Sequence, residues 1–158
     1  MTTSPAMNLT LPSDTEILIT RQFAAPRHAV WQVWTTPEHI LRWWGGQRGV
    51  ATLAEIDLRV GGTWRYAMTA NAGFEVAFHG EFLEVVMDER IVSTEFFEGM
   101  PGSEAAVNTA TFTEADGVTT LSLLLRYDSQ ATRDLVVGTG MEGGVREGFE
   151  IIDALLAG

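Results

Sequence analysis

Four of the chain's five tryptophans, Trp31, Trp34, Trp43 and Trp44, crowd into one short stretch. So much aromatic surface on so little backbone requires a large apolar body for it to cover. The stretch also carries helix punctuation. Pro26 opens one short helix, Thr36-Pro37-Glu38 opens a second, and Gly45-Gly46 stops it. On the first helix Val30, Val33 and Trp34 form the apolar stripe, with Trp31 on a flank.

The body to be covered reads as a sheet. Glu16 to Phe23 has the apolar, β-branched content of a strand, and Ala25-Pro26 ends it. Leu53 to Val60 alternates and is turned tightly by Gly61-Gly62 into Thr63 to Thr69, a hairpin signal. After Asn71-Ala-Gly73, further strands are expected from Phe74 to about Val86 and from Arg90 to Phe97. A loop at Pro101-Gly102-Ser103 precedes a last hairpin, Asn108 to Thr113 and Val118 to Tyr127, around Asp116-Gly117. Ser129 is a candidate N-cap, and Leu135, Met141, Val145, Phe149, Ile152 and Leu156 then recur at helical spacing, which predicts one long terminal helix. Its glycines, Gly138, Gly140, Gly143, Gly144 and Gly148, cost helix stability. They imply a close approach to the helix backbone or a bend, unless the first two sit in a loop.

The order is strand, two short helices, a run of antiparallel strands and a long closing helix, an α+β pattern of about seven strands. Such a helix is best buried across the concave side of a twisted sheet, with an apolar cavity expected where the two part. At 158 residues and 46% hydrophobic content, one core suffices. Residues 1–14, rich in Thr, Ser and Pro, read as a flexible tail, and residues 15–158 as the single domain.

Composition excludes several chemistries. Without cysteine there is no disulfide, thiolate metal site or cysteine nucleophile. Without lysine there is no Schiff base or nucleotide-loop lysine. A net charge of -11 repels phosphate backbones and anionic lipid, so neither nucleic acid nor membrane insertion is expected. No secretory signal is recognisable, and a cytoplasmic location is expected. His28, His39 and His79 lack the spacing of metal ligands, so neither metal nor other cofactor is expected.

Several motifs together resemble one family. Phe23, Ala25 and Pro26 with Val30-Trp31, then Trp34-Thr35, Pro37-Glu38 and Trp43-Trp44-Gly45, are similar to the opening of the family of homologues of the activator of heat-shock protein 90 ATPase. Asp57, Arg59, Gly61-Gly62 and Trp64-Arg65 resemble its later motifs, as do Phe78, Gly80, Phe82 and Glu84-Val85, and Gly140-Met141-Glu142 with Gly144. The resemblance implies membership of the START-like, or polyketide-cyclase-like, superfamily. It also implies a helix-grip fold: a curved antiparallel sheet wrapped around a long C-terminal helix, enclosing a cavity that in relatives holds hydrophobic small molecules. A co-chaperone or protein-interaction role is a further implication, and an exposed strand or helix leaves pairing into a homodimer open.

Candidate catalytic residues are His79, Glu95, Arg126 and Glu142, each set among apolar neighbours; a buried Arg and Glu could orient a polar group or transfer a proton. Strand alternation leaves their faces undecided, and surface ion pairing is the competing reading. Candidate ligand-binding residues are Trp43, Trp44, Trp64, Tyr66, Phe78, Phe82, Phe97, Tyr127, Met141, Val145 and Phe149. Core packing competes for each, while the set suits an aromatic guest. The leading expectation is binding of such a guest. A cyclase, hydrolase or isomerase working through cavity Glu, His or Arg is the alternative.

Overall fold

The computed structural model describes residues 6–100, 102 and 104–158. Pro101 and Ser103 of the expected loop, and the start of the expected tail, lie outside the described residues. The elements are β1 (Asn8–Thr10), β2 (Glu16–Phe23), α1 (Arg27–Thr35), α2 (Pro37–Trp43), β3 (Gly49–Ile56), β4 (Thr63–Ala70), β5 (Glu75–Val86), β6 (Arg90–Phe97), β7 (Ala106–Ala115), β8 (Val118–Arg126), α3 (Gln130–Gly138) and α4 (Met141–Ala157).

All eight strands form one antiparallel sheet in the order β1-β2-β8-β7-β6-β5-β4-β3. The last six strands are a meander, so each meets its neighbour through a short connection. Asp116 and Gly117, both at positive φ, form the two-residue turn that pairs Ala115 with Val118. The helices α1 and α2 carry the chain from β2, near one edge, to β3 at the other. A register shift between Phe82 and Glu84 on β5 adds the local bend that a curved sheet needs.

Register decides which side chains share a face. Ile17, Ile19 and Arg21 stand opposite Leu125, Leu123 and Leu121, and Phe112 stands opposite Leu121. This inner face carries the core, into which α1 sends Val30, Trp31 and Val33, and α4 sends Phe149 and Ile152. Arg21 is 3% exposed. Its Nη1 donates to Asp153 Oδ1 on α4 at 2.9 Å, and its Nη2 donates to Oδ2 of the same carboxylate. The pair clasps α4 to β2.

The tryptophan stretch forms the junction of α1, α2 and α4. Trp43 Nε1 donates to the Val33 carbonyl at 2.9 Å, and its ring stacks on Trp34 with centroids 4.7 Å apart. Its own carbonyl faces Gly148, where an added Cβ would lie 2.9 Å from that oxygen. The α4 glycine is therefore a close-approach site.

Four expectations are corrected. Asn8–Thr10 pairs with Leu18–Thr20, and buried Arg133 on α3 donates to the Ser13 carbonyl at 2.6 Å, so structure begins inside the expected tail. Trp31 is buried and Trp34 only partly so, the reverse of the stripe expected: Trp34 stacks on Trp43 of α2 and meets Phe112 of β7 and Phe149 of α4 at longer range, which leaves part of its surface uncovered. The β3 strand starts at Gly49 and ends at Ile56, leaving residues 57–62 as a loop instead of a two-residue turn. The terminal helix is two helices, α3 capped by Ser129 Oγ accepting from the Thr132 amide at 3.1 Å, and α4 entered at Gly140 with φ +80°. That left-handed conformation breaks the helix and suits glycine.

The two kinds of helical glycine separate by substitution. Gly148→Ala is expected to destabilise by about 1–3 kcal/mol through the clash with the Trp43 carbonyl, despite better helix propensity. Gly138→Ala, where an added Cβ meets nothing within 4 Å, is expected to stabilise by up to about 1 kcal/mol. Urea unfolding of both variants checks the opposite signs. In the same assay Asp153→Ala, which leaves Arg21 buried and unpaired, is expected to cost about 3–5 kcal/mol.

Candidate functional site

Above β6, β7 and β8 the inner face changes character. Glu95 stands opposite Ala106, and Ser93 opposite Asn108, which is itself opposite Leu125. These residues share their face with Ile91, Ala110 and Leu123, so Glu95 points inward. Asn108 Nδ2 donates to Glu95 Oε2 at 2.6 Å. Burial pushes the Glu95 carboxyl above the usual carboxylate range, and the Asn108 bond opposes that shift only in part.

Aromatic side chains adjoin this pair. Phe97 lies two residues beyond Glu95 on the same strand face and packs on Phe78 at 5.0 Å. Trp44 meets Phe78 at 5.9 Å and Tyr66 at 5.8 Å, both edge-on. Burial pushes the Tyr66 and Tyr127 phenols up, with the Glu95 charge adding to the shift at Tyr127. Among the described residues, neither tyrosine hydroxyl has a hydrogen-bond partner.

The expected binding residues divide into two groups. Trp43, Trp64, Phe82 and Phe149 are buried core. Trp43 fills the helix junction, and Trp64 Nε1 donates to the Thr94 carbonyl at 3.2 Å. Trp44, Tyr66, Phe78, Tyr127, Met141 and Val145 are partly buried against that core, and Phe97 is more exposed. Asn108 was not among the residues expected. A lone Asn beside Thr and Ala in a strand gives no signal until register sets it beside Glu95.

Of the four expected catalytic residues only Glu95 reaches this place. Arg126 is exposed and pairs with Glu16 at 3.2 Å. Glu142 and Arg146 form an exposed i,i+4 pair along α4 at 3.3 Å. His79 lies on the outer face, stacked on Phe96, with Nδ1 2.9 Å from Glu98. Surface pairing accounts for all three.

The outer face has its own cluster, since Glu55, Arg65 and His79 stand in register across β3, β4 and β5. A shallow, open depression of about 430 Å³ lies here, lined by these three with Ile56, Asp57, Thr63, Trp64 and Gly80, and it does not reach Glu95. Arg65 donates to both Glu98 oxygens, at 2.8 and 2.9 Å. Arg65 first, and then His79, hold Glu98 down to about 2 from its ordinary 4.5. A carboxylate with a lowered folded-state pKa adds stability above the unfolded value and loses it as pH falls through the folded one. The window here runs from about 4.5 to about 2. Glu98→Gln is expected to cost at most about 1 kcal/mol at neutral pH, because solvent screens the pair, and nothing near pH 2. Urea midpoints of variant and parent across that window should converge on acidification.

Eight antiparallel strands gripping a C-terminal helix, with two short helices between β2 and β3, define a helix-grip protein of the START-like, polyketide-cyclase-like class. Residues 24–157 match the family described as Activator of Hsp90 ATPase homolog 1-like protein, and the chain belongs to that family. Among solved structures it is similar to protein Ms6760 from Mycobacterium smegmatis, at 30% identity and TM-score 0.86, over 96% of this chain and 97% of that one. A protein from Rhodobacter sphaeroides shares the fold at 21% identity and TM-score 0.89, over 96% and 99%. CalU16 from Micromonospora echinospora shares it at 22% identity and TM-score 0.63, over 96% and 87%. No curated protein matches the chain. Among the described residues no helix is long and apolar enough to cross a membrane.

Proposed function

We propose that this chain binds a hydrophobic aromatic small molecule between the inner face of β4–β8 and the helices α3 and α4. One observation carries the reading. Tyr66, Tyr127 and Glu95 are desolvated enough to shift their pKa values upward, yet each keeps part of its surface uncovered. Residual uncovered surface on side chains that protein otherwise crowds is what the wall of a recess would present. Its walls, Trp44, Tyr66, Phe78, Phe97 and Tyr127, offer broad apolar faces, and edge-on ring contacts leave faces free for a guest. The family's scaffold is consistent with a ligand-binding or cyclase-like use.

A second reading, proton transfer, is favoured by Glu95 alone. A carboxyl with a raised pKa in an apolar setting is suited to act as a general acid or base. Glu95→Gln separates the two readings: turnover of a bound guest that disappears while its binding persists makes the site catalytic.

Titration with N-phenyl-1-naphthylamine, an uncharged dye whose emission rises in apolar surroundings, tests the binding reading. Saturable emission is expected. Phe97→Ser is expected to weaken it about fivefold or more, as the loss of about 1 kcal/mol of apolar contact. Glu142→Gln, on the exposed side of α4, is expected to leave it unchanged. Emission that fails to saturate, or that ignores Phe97→Ser, removes the recess as a binding site.

A further inference from the structure

Asn108 sits on the inner face of β7 between Ala106 and Ala110, opposite Ser93 on β6 and Leu125 on β8. Three of these four neighbours are small, which keeps the floor low around it. Its Nδ2 is committed to Glu95 Oε2, and its Oδ1 is the one buried side-chain polar atom without a hydrogen-bond partner among the described residues. Leaving a buried acceptor unpaired is costly, so structures seldom keep one without a use for it. The Tyr66 and Tyr127 hydroxyls, which can donate or accept, have no side-chain or backbone partner among the described residues either.

Charge narrows the chemistry further. Among the described residues both buried arginines are committed, Arg21 through two nitrogens to Asp153, and Arg133 on α3 to Asp134 and the Ser13 carbonyl. Arg126 follows Leu125 on the opposite face, where it pairs with Glu16. An anion brought beside Glu95 would find no counter-charge, and burying an unpaired ion is strongly unfavourable.

We propose that the guest is an uncharged aromatic molecule carrying a hydrogen-bond donor, a phenolic hydroxyl or a ring N–H, which docks on Asn108 Oδ1, and that aromatic anions are excluded. The assignment rests on the binding reading above and adds the identity of the guest's polar end. Because Oδ1 is closed to solvent, docking includes displacement of a neighbouring side chain. The guest's donor then completes the pairing that the protein leaves unmet.

Equilibrium dialysis of the full chain against 2-naphthol, 2-methoxynaphthalene and 2-naphthoate tests this. The three share a ring system and differ in offering a donor, an acceptor alone and a negative charge. The naphthol is expected to bind about tenfold more tightly than the ether, as one hydrogen bond to a buried acceptor allows, and the naphthoate most weakly. Asn108→Leu is expected to remove the preference for naphthol over the ether, its fold checked by thermal melting. Should Asn108→Leu fail to fold, Asn108→Ser, which shortens the acceptor, is expected to narrow the same preference. Equal binding of naphthol and ether, or strong binding of naphthoate, overturns the proposal and leaves the apolar recess standing. Absence of binding by all three overturns both.

Discussion

The Trp43 junction is the constraint on which the helical layer depends. One residue stacks its ring on Trp34, donates its indole N–H to the Val33 carbonyl, and sets its own carbonyl against Gly148. These contacts join α1, α2 and α4 by aromatic stacking, a hydrogen bond and steric fit. The hydrogen bond matters because a buried indole N–H left unpaired is costly, so the ring has one satisfactory seat. The helix α4 can approach α2 this closely only where it lacks a side chain. Arg21 and Asp153 then fix α4 over β2, and the opposite flank, over β4 to β7, is where Trp44, Tyr66, Phe78, Phe97 and Glu95 are found.

Much of this arrangement was legible in the sequence because it is written in local terms. Gly-containing turns and alternating runs identify the meander from β4 to β8, and Ser129 identifies the start of α3. The family motifs then supply the grip of sheet on helix. The errors share a different cause. Trp34 packs on Phe112 and Phe149 as well as on Trp43, and the Ser13 carbonyl accepts from Arg133 near the far end of the chain. Phe112, Phe149 and Arg133 lie outside any local window. The break at Gly140 depends on a left-handed backbone that composition permits but does not require.

The site was legible in part for the same reason. Aromatic residues announce themselves: of the eleven expected binding residues six lie partly buried against the core, four are buried within it, and Phe97 is exposed. Polar residues do not. Glu95 and His79 both lie on strands among aromatic neighbours and differ in parity, and parity is set by register across β5, β6 and β7. Asn108 gains meaning only from that pairing. A chain of this kind therefore shows its aromatic residues in sequence and conceals which polar residues stand beside them until the sheet is assembled.

The strand order also has a kinetic consequence. Strands β3 to β8 can pair successively through short closures, whereas β2 must wait for β8, with 110 residues separating Glu16 from Arg126. Long closures of this kind slow folding, since entropy is lost before contacts compensate. During synthesis β1 and β2 emerge first and can pair with each other, but the β2 edge that pairs with β8 stays open until nearly the whole chain has been made. Closing the sheet then requires the β1–β2 pair to dock beside the newest strand, and a nascent chain halted before β8 leaves an apolar strand edge open and prone to aggregate.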